Sequence, residues 1–416
     1  MTNDQSSARS LPDSLKLQGE RLSAYYQPIL AMDTRRIIGY EVLGRACKGE
    51  EARSLGPFFS DESVPDLDHI YVDRLLREQA LSKVGGMDSP PLLFINLKPS
   101  WIHQQYQQSG QLYTLSLLHK YGVDPRRVVI EITEESFRGQ MEELREVVDL
   151  YRQQGCLIAI DDYGSGFSNT DRIAQIQPNL LKIDIHMVKK SANHDGYLGV
   201  LRSLSALAEQ IGASLLVEGV ESREDLVRSI EIGARYVQGF LFAKAEPHFR
   251  EADDFEAMIQ SELELQLERQ LSREHYWQGQ AEGLALSVEE LSSEPSAEAG
   301  GDERLLQLLP LLSEGCVRVY LCREDGIQTS ANWSRGTADE SWRLEESCRG
   351  SNWSWRPYFV PNMVQLTDGR RAIVSRAYND LDTGAWIRTI SVPAGQGLVL
   401  FADMRDAAAG SESVAG

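Results

Sequence analysis

Residues 158–184 read IAIDDYGSGFSNTDRIAQIQPNLLKID: one apolar run closes on two adjacent carboxylates, Asp161 and Asp162, and a second closes on Lys182 and Asp184. Delivering charge to the end of an apolar strand is costly unless a counter-charge waits there, so the pattern reads as a metal site with a cation beside it. A βα turn with an Asp N-cap would explain one such ending, and only recurrence separates the two readings.

The ending recurs. Short β-branched runs lie at 23–30, 37–43, 92–97, 128–133, 157–161, 180–184, 214–219 and 236–243. Amphipathic segments of helix length separate most of them. One is YLGVLRSLSALAEQIG, with Leu198, Leu201, Leu204, Leu207 and Ile211 near helical spacing and Gly212 at a stop position. About eight strands in roughly 230 residues, alternating with helices, predict an α/β fold of the (β/α)₈ barrel type.

In such barrels the chemistry sits at the C-terminal ends of the strands and on the loops that follow. The polar residues fall there: Glu41, Asn96, Glu131 with Glu134 just after it, Asp161 and Asp162, Lys182 and Asp184, Glu218 with Glu221 three residues on, and Gln238. So many carboxylates facing one space coexist only with protons or divalent metals. Oxygen donors without an HxxxH or CxxC pair suit Mg²⁺ or Mn²⁺. Carboxylates around two hard cations suit in-line phosphoryl displacement, whereas a glycosidase needs one acid and one base. His186 reads as a surface or packing residue, and Gly164 and Gly166 as enablers of a tight turn.

The strings YYQPI (25–29), EVLGR (41–45), FINL (94–97), IEITEES (130–136), DDYGSGFSN (161–169), LLKID (180–184), VEGVES (217–222) and QGFLFAKAEP (238–247) resemble, in order and spacing, the motifs of the EAL-domain cyclic di-GMP phosphodiesterases. The resemblance implies a modified TIM barrel that opens one phosphodiester bond of cyclic di-GMP to give linear pGpG with Mg²⁺ or Mn²⁺, two ions being expected, and Ca²⁺ inhibitory. It makes Glu41, Asn96, Glu131, Asp161, Asp162 and Glu218 metal ligands, and Glu41, Lys182 and Glu218 the catalytic set, with Lys182 orienting or helping to activate the water. Gln27, Leu43, Arg45, Asp184 and Gln238 become substrate-binding positions, Arg45 holding a phosphate, while Glu134 and Glu221 shape the loop after the fifth strand. The signature reads EVL where the family name has EAL, and none of the acidic, Asn or Lys positions is lost.

A net charge of −20 argues against a nucleic-acid polymer or an anionic membrane as partner. The five cysteines, Cys47, Cys156, Cys316, Cys322 and Cys348, show no paired spacing, which suits free thiols in a reducing, cytoplasmic setting. Residues 1–15 carry no apolar core of a signal peptide, and no run approaches the ~18 apolar residues of a membrane span.

The expected organisation is an N-terminal segment (1–20), the barrel (21–250), a connecting helix and linker (251–303), a second domain (304–406) and a tail (407–416). Phe255, Ile259, Leu263, Leu267 and Leu271 recur every four residues, predicting a long amphipathic helix from Asp253 or Asp254 whose stripe packs on a domain or on a second copy. VRVYLC, RAIVSRAY, WIRTISVP and GLVLFADM read as antiparallel strands of an α+β module, with turns at Asp325-Gly326, Asp368-Gly369 and Thr383-Gly384. Five of the seven tryptophans lie between Trp333 and Trp386. They read either as core packing or as walls of a pocket for an unknown small ligand, with Arg356 and Arg388 as anion anchors. NWSWRPYF and TGAWIRTISVP resemble the PAS-like or Cache-like C-terminal domain of YkuI-type EAL proteins, which implies a regulatory role. The function expected is a regulated cyclic di-GMP phosphodiesterase, as a homodimer; the alternative is a weak or inactive cyclic di-GMP receptor.

Overall fold

The computed structural model describes residues 20–133, 141–163, 170–192, 194–292, 301–336 and 341–406. The chain divides into two compact units, residues 1–264 and 265–416. In the first, strands β1 (Arg21–Ala31), β2 (Ile37–Lys48), β4 (Leu92–Leu97), β5 (Val128–Thr133), β6 (Leu157–Tyr163), β7 (Leu180–Asp184), β8 (Ser214–Glu218) and β9 (Tyr236–Val237) form a ring, closed by the pairing of β1 with both β2 and β9; a short β3 (Glu51–Ser54) hangs from β2. All neighbours from β2 to β9 around the ring are parallel, whereas β1 runs antiparallel to both of its partners.

Alternation along these strands makes two layers. One set of side chains, including Leu93, Ile95, Val128, Ile130, Ile158, Ile160, Leu181, Ile183, Leu215 and Val217, joins the large core with the helices. The other set faces the barrel interior, where Ile29, Phe94, Val129, Ala159, Leu180 and Leu216 form a separate buried cluster. The residue two positions from each of these is Gln27, Asn96, Glu131, Asp161, Lys182 or Glu218. An apolar plug therefore lies one pleat below a polar layer, and the stability gained by burying the first sets the position of the second.

Local chemistry ends the helices where expected. Gly212 takes a left-handed φ of 71° and stops the helix Asp195–Ile211. Ser222 and Asp225 form a reciprocal capping box that starts Arg223–Glu231. The eighth apolar run is strand only at Tyr236–Val237; residues 238–243 leave the ladder.

The long helix runs Glu256–Ser292, beginning slightly later than Asp253 or Asp254. Its four-residue stripe does not continue as one buried seam. Ile259 is buried and Leu263 partly so against the first core, whereas Leu267 and Leu271 are 56% and 51% exposed. Farther along, Trp277, Ala281, Ala285 and Val288 are buried in the core of the second unit. A straight i, i+4 stripe drifts around a 3.6-residue helix, so one stripe cannot stay with one face over this length.

The second unit is a seven-stranded antiparallel sheet, with β12 (Trp342–Glu345), β11 (Asn332–Arg335), β10 (Cys316–Arg323), β16 (Leu398–Arg405), β15 (Trp386–Gly395) and β13 (Ile373–Val374) in that order and β14 (Tyr378–Asn379) beside β15. Asp368-Gly369 follows the helix Phe359–Thr367 and does not form a hairpin, and Gly301–Leu308, its first three residues expected as linker, is helical. The unpredicted β15–β16 turn has Gln396 and Gly397 at φ 54° and 73°. One sheet face packs Val319, Leu321, Leu400 and Ala402 with the long helix, and the other packs Tyr320, Cys322, Val399 and Phe401 with Phe359. Among the described residues no helix is long and apolar enough to cross a membrane.

Asp403 is buried on the second of these faces, where it accepts from Thr389 Oγ1 at 2.7 Å and lies 3.4 Å from Arg318. Burial outweighs these partners and pushes its carboxyl up to about 6. The folded state thus holds a proton that the unfolded chain releases near pH 4, so the stability contribution present below pH 4 is lost as pH rises through about 6. Asp403→Asn should gain about 1.4 kcal/mol relative to wild type between pH 5 and pH 8. Urea unfolding of both proteins at the two pH values measures the difference; a constant gap would exclude the effect.

Candidate active site

Each polar side chain of the upper layer arrives on its own strand. Register sets Gln27 opposite Glu41, Asn96 beside Glu131, and Asp184 beside Glu218. Lys182 is fully buried, and its Nζ lies 2.9 Å from Glu131 Oε1, 2.9 Å from Asp161 Oδ1, 3.1 Å from Glu218 Oε2 and 4.0 Å from Glu41 Oε2. Four carboxylates thus surround one ammonium.

Glu41 is held from two sides. Gln238 Nε2 donates to Glu41 Oε2 at 2.7 Å and to Gln27 Oε1 at 3.2 Å; Asn96 Nδ2 donates to Glu41 Oε1 at 2.9 Å. Gln27 in turn donates to the Ala243 carbonyl at 3.2 Å. Gln238 reaches Glu41 because the turn after β9 is pinned to the one after β8: Val220 N–H donates to the Gln238 carbonyl at 3.0 Å, and Leu241 N–H to the Val220 carbonyl at 2.9 Å. A side chain on Gly239 would collide with the Val220 backbone, so only glycine fits that crossing.

The electrostatics are unbalanced. Burial opposes charge on Lys182, but Asp161, Glu131, Glu218 and Glu41 overcome it and raise the ammonium well above its ordinary value. Burial likewise raises Glu131 well above the carboxyl range and pushes Glu218 up to about 8, despite the attraction of Lys182. Although one oxygen of Glu131 lies close to Nζ, neither oxygen receives a hydrogen bond of acceptable angle. A buried carboxylate left so poorly satisfied beside three others, with an all-oxygen donor set, fits hard divalent cations. Among the described residues no three acidic, His or Cys side chains stand as a ready-made metal cage. Instead, the ammonium of Lys182 stands among them.

The remaining expected positions fall in different places. Leu43 and Arg45 line a cavity of about 280 Å³ that also touches Asn96. Asp184 caps the helix Ile185–Ser191, its Oδ1 accepting from His186 N–H at 2.6 Å, and His186 is solvent-facing. Glu221 accepts from Lys189 Nζ at 3.1 Å, outside the Lys182 group. Glu134 and the side chain of Asp162 lie outside the described residues. Sequence reading missed Lys98 and Trp101, which line the same cavity, the ammonium 4.5 Å from the indole centroid. Their position directly after β4, at the functional end of a barrel strand, is the signal that could have marked them.

The chain matches the EAL domain family over residues 8–245 and, over residues 249–407, a family described as an EAL-domain associated signalling protein domain. It is 34% identical to YkuI, an uncharacterized EAL-domain containing protein of Bacillus subtilis, over 91% of this chain and 93% of that protein. It is 33% identical to the cyclic di-GMP phosphodiesterase RocR of Pseudomonas aeruginosa over 56% of this chain and 60% of RocR. The crystal structure of Bacillus subtilis YkuI in complex with substrate c-di-GMP and calcium is similar with a TM-score of 0.83 and 32% identity, covering 93% of this chain and 96% of that one. Klebsiella pneumoniae BlrP1, in a calcium and cyclic di-GMP complex, is similar with a TM-score of 0.50 and 25% identity over 58% of this chain and 63% of its own.

Replacing Lys182 with Met should leave the carboxylates without their cation, a loss of about 3–5 kcal/mol for a broken buried ion group. A divalent cation should then raise the melting temperature of Lys182→Met more than that of wild type, because it supplies the missing charge. Calorimetry in chelator and in millimolar Mg²⁺ tests this, and equal metal responses would argue against the carboxylates as ligands.

Proposed function

The chain belongs to the EAL-domain family, and from that premise we propose that it is a metal-dependent phosphodiesterase that opens one phosphodiester bond of cyclic di-GMP to give linear pGpG, under control of its C-terminal unit. The observation that carries the reading is the convergence of Glu41, Glu131, Asp161 and Glu218 on Lys182 at the C-terminal rim of the barrel. Glu41, Asn96, Glu131, Asp161, Asp162 and Glu218 would hold Mg²⁺ or Mn²⁺, which when bound stabilises charge on the phosphate and supplies a nucleophilic water near neutral pH.

The chain's own groups then divide the work. The carboxylates keep Lys182 as an ammonium, so it donates to the attacking water and orients it, and does not take its proton. Gln238 and Asn96 fix one oxygen each of Glu41 and so hold that carboxylate in one orientation. Arg45, half-buried in the neighbouring cavity, offers its guanidinium to a phosphate oxygen. In the reaction the water oxygen joins phosphorus and gives up one proton, one P–O bond breaks, and the leaving oxygen takes up one proton, so that the water is divided between the two products.

A receptor that binds cyclic di-GMP and cuts it slowly or not at all is the second reading. It is favoured by YkuI, the relative matched over nearly its whole length, having been solved in complex with substrate c-di-GMP. Calcium in that complex leads us to expect that Ca²⁺ supports binding here without turnover.

Chromatography of nucleotides after incubation with cyclic di-GMP separates the readings. We expect linear pGpG from wild type with Mg²⁺ or Mn²⁺, none with Ca²⁺, and a loss of about 100-fold or more in Glu41→Ala and Lys182→Ala. Bound nucleotide without product would establish the receptor. The exposed Leu267 and Leu271 support a homodimer, for which light scattering should return twice the chain mass of 46.6 kDa; a monomer at micromolar concentration would exclude it.

A further inference from the structure

The second unit contains a cavity of about 1080 Å³ that the barrel chemistry does not use. Trp277, Tyr358 and Tyr378 give it aromatic walls, and Arg356, Arg370 and Arg376 face it with cations. Its lining holds four arginines against two glutamates, in a chain whose net charge is −20. A positive cavity in so acidic a protein attracts anions that the rest of the surface repels.

Pairing sharpens the point. Other arginines of this unit are matched to acids: Arg318 to Asp380 and Asp403, Arg349 to Asp302, Arg371 to Glu289, and Arg388 to Glu274 and Asp406. Arg388, expected from sequence as an anion anchor, is therefore already occupied, and it lies over Trp277 at 5.2 Å. Among the described residues, no carboxylate lies within 4.0 Å of Arg356, Arg370 or Arg376. Arg356 is instead surrounded by rings, its guanidinium 4.7 Å from the centroid of Trp355, 5.7 Å from Trp353 and 5.9 Å from Tyr378. The buried carboxyl of Asp403 feels the Arg356 charge without forming an ion pair, so the rings hold in place a planar guanidinium that no carboxylate grips.

The walls behind it are fixed. Tyr358 and Tyr378 stack at 5.5 Å, Tyr378 Oη is 2.7 Å from Thr389 Oγ1, and Asn362 Nδ2 donates to Ser391 Oγ at 3.0 Å. A cavity with preset aromatic and apolar walls and a few cations outside any ion pair has the form of a ligand site. We propose that it binds a small organic oxyanion, a carboxylate or phosphate carried on an apolar or planar body, with Arg356 taking the anionic end. This inference does not rest on the activity of the barrel.

Isothermal titration of the full chain with 2-naphthoate, 2-naphthyl phosphate and neutral 2-naphthamide tests it. We expect at least one anion to bind about tenfold or more tighter than the amide, the tighter of the two naming the acidic group. Arg356→Gln should abolish that preference, while Arg323→Gln, which removes a cation outside the cavity, should keep it. Equal binding of anion and amide, no binding of any probe at millimolar concentration, or an unchanged preference in Arg356→Gln would overturn the proposal. If Arg356→Gln fails to fold by circular dichroism, the wild-type preference and Arg370→Gln decide the outcome.

Discussion

A single buried ammonium holds the polar layer of the barrel together. Lys182 reaches into a space that four carboxylates share; Glu131, Asp161 and Glu218 stand there because the residue two places back along each strand is locked into the apolar plug beneath, while Glu41 is held in place by Gln238 and Asn96. Neither layer is arbitrary once the other is given. Lengthening or shifting any of these strands by one residue would turn its acid out of the barrel and its aliphatic neighbours in. One positive charge cannot balance four negative ones, however, and the remaining imbalance is what makes the site receptive to further cations or protons.

Much of this was legible from residue order because strand alternation is simple and local. Once runs such as LLFINL and LLKID are read as strands, parity alone assigns Asn96 and Lys182 to the same surface as Phe94 and Leu180. Features that depend on partners far away in sequence were not legible. The last ring strand stops after Tyr236 and Val237 because Gln238 and Leu241 instead bond to the turn at Val220, an arrangement no local pattern announces. Asp184 follows the same parity as Lys182, yet its carboxylate caps the helix that begins at the next residue. In the second unit, Arg388 and Arg356 look alike in sequence, and only the acids near one and the rings near the other distinguish them.

The long helix shows the limit of a periodicity argument. Its residues at four-residue spacing predict one continuous apolar face, but burial passes from Ile259 to Trp277 and Ala281 through an exposed stretch. Each part of the helix answers to the core of its own unit, with its own set of contacting positions. Spacing identified the element, and packing chose which of its faces mattered.

The reversed direction of β1 has a topological effect. Because Arg21 pairs with Cys47, past Glu41 along β2, the chain enters the barrel on the carboxylate rim, where an all-parallel ring would have it enter at the opposite end. The amino end of β1 thereby lies on the rim that carries Glu41, and its carboxyl end, where Leu30 pairs with Ile37, lies at the foot of the barrel.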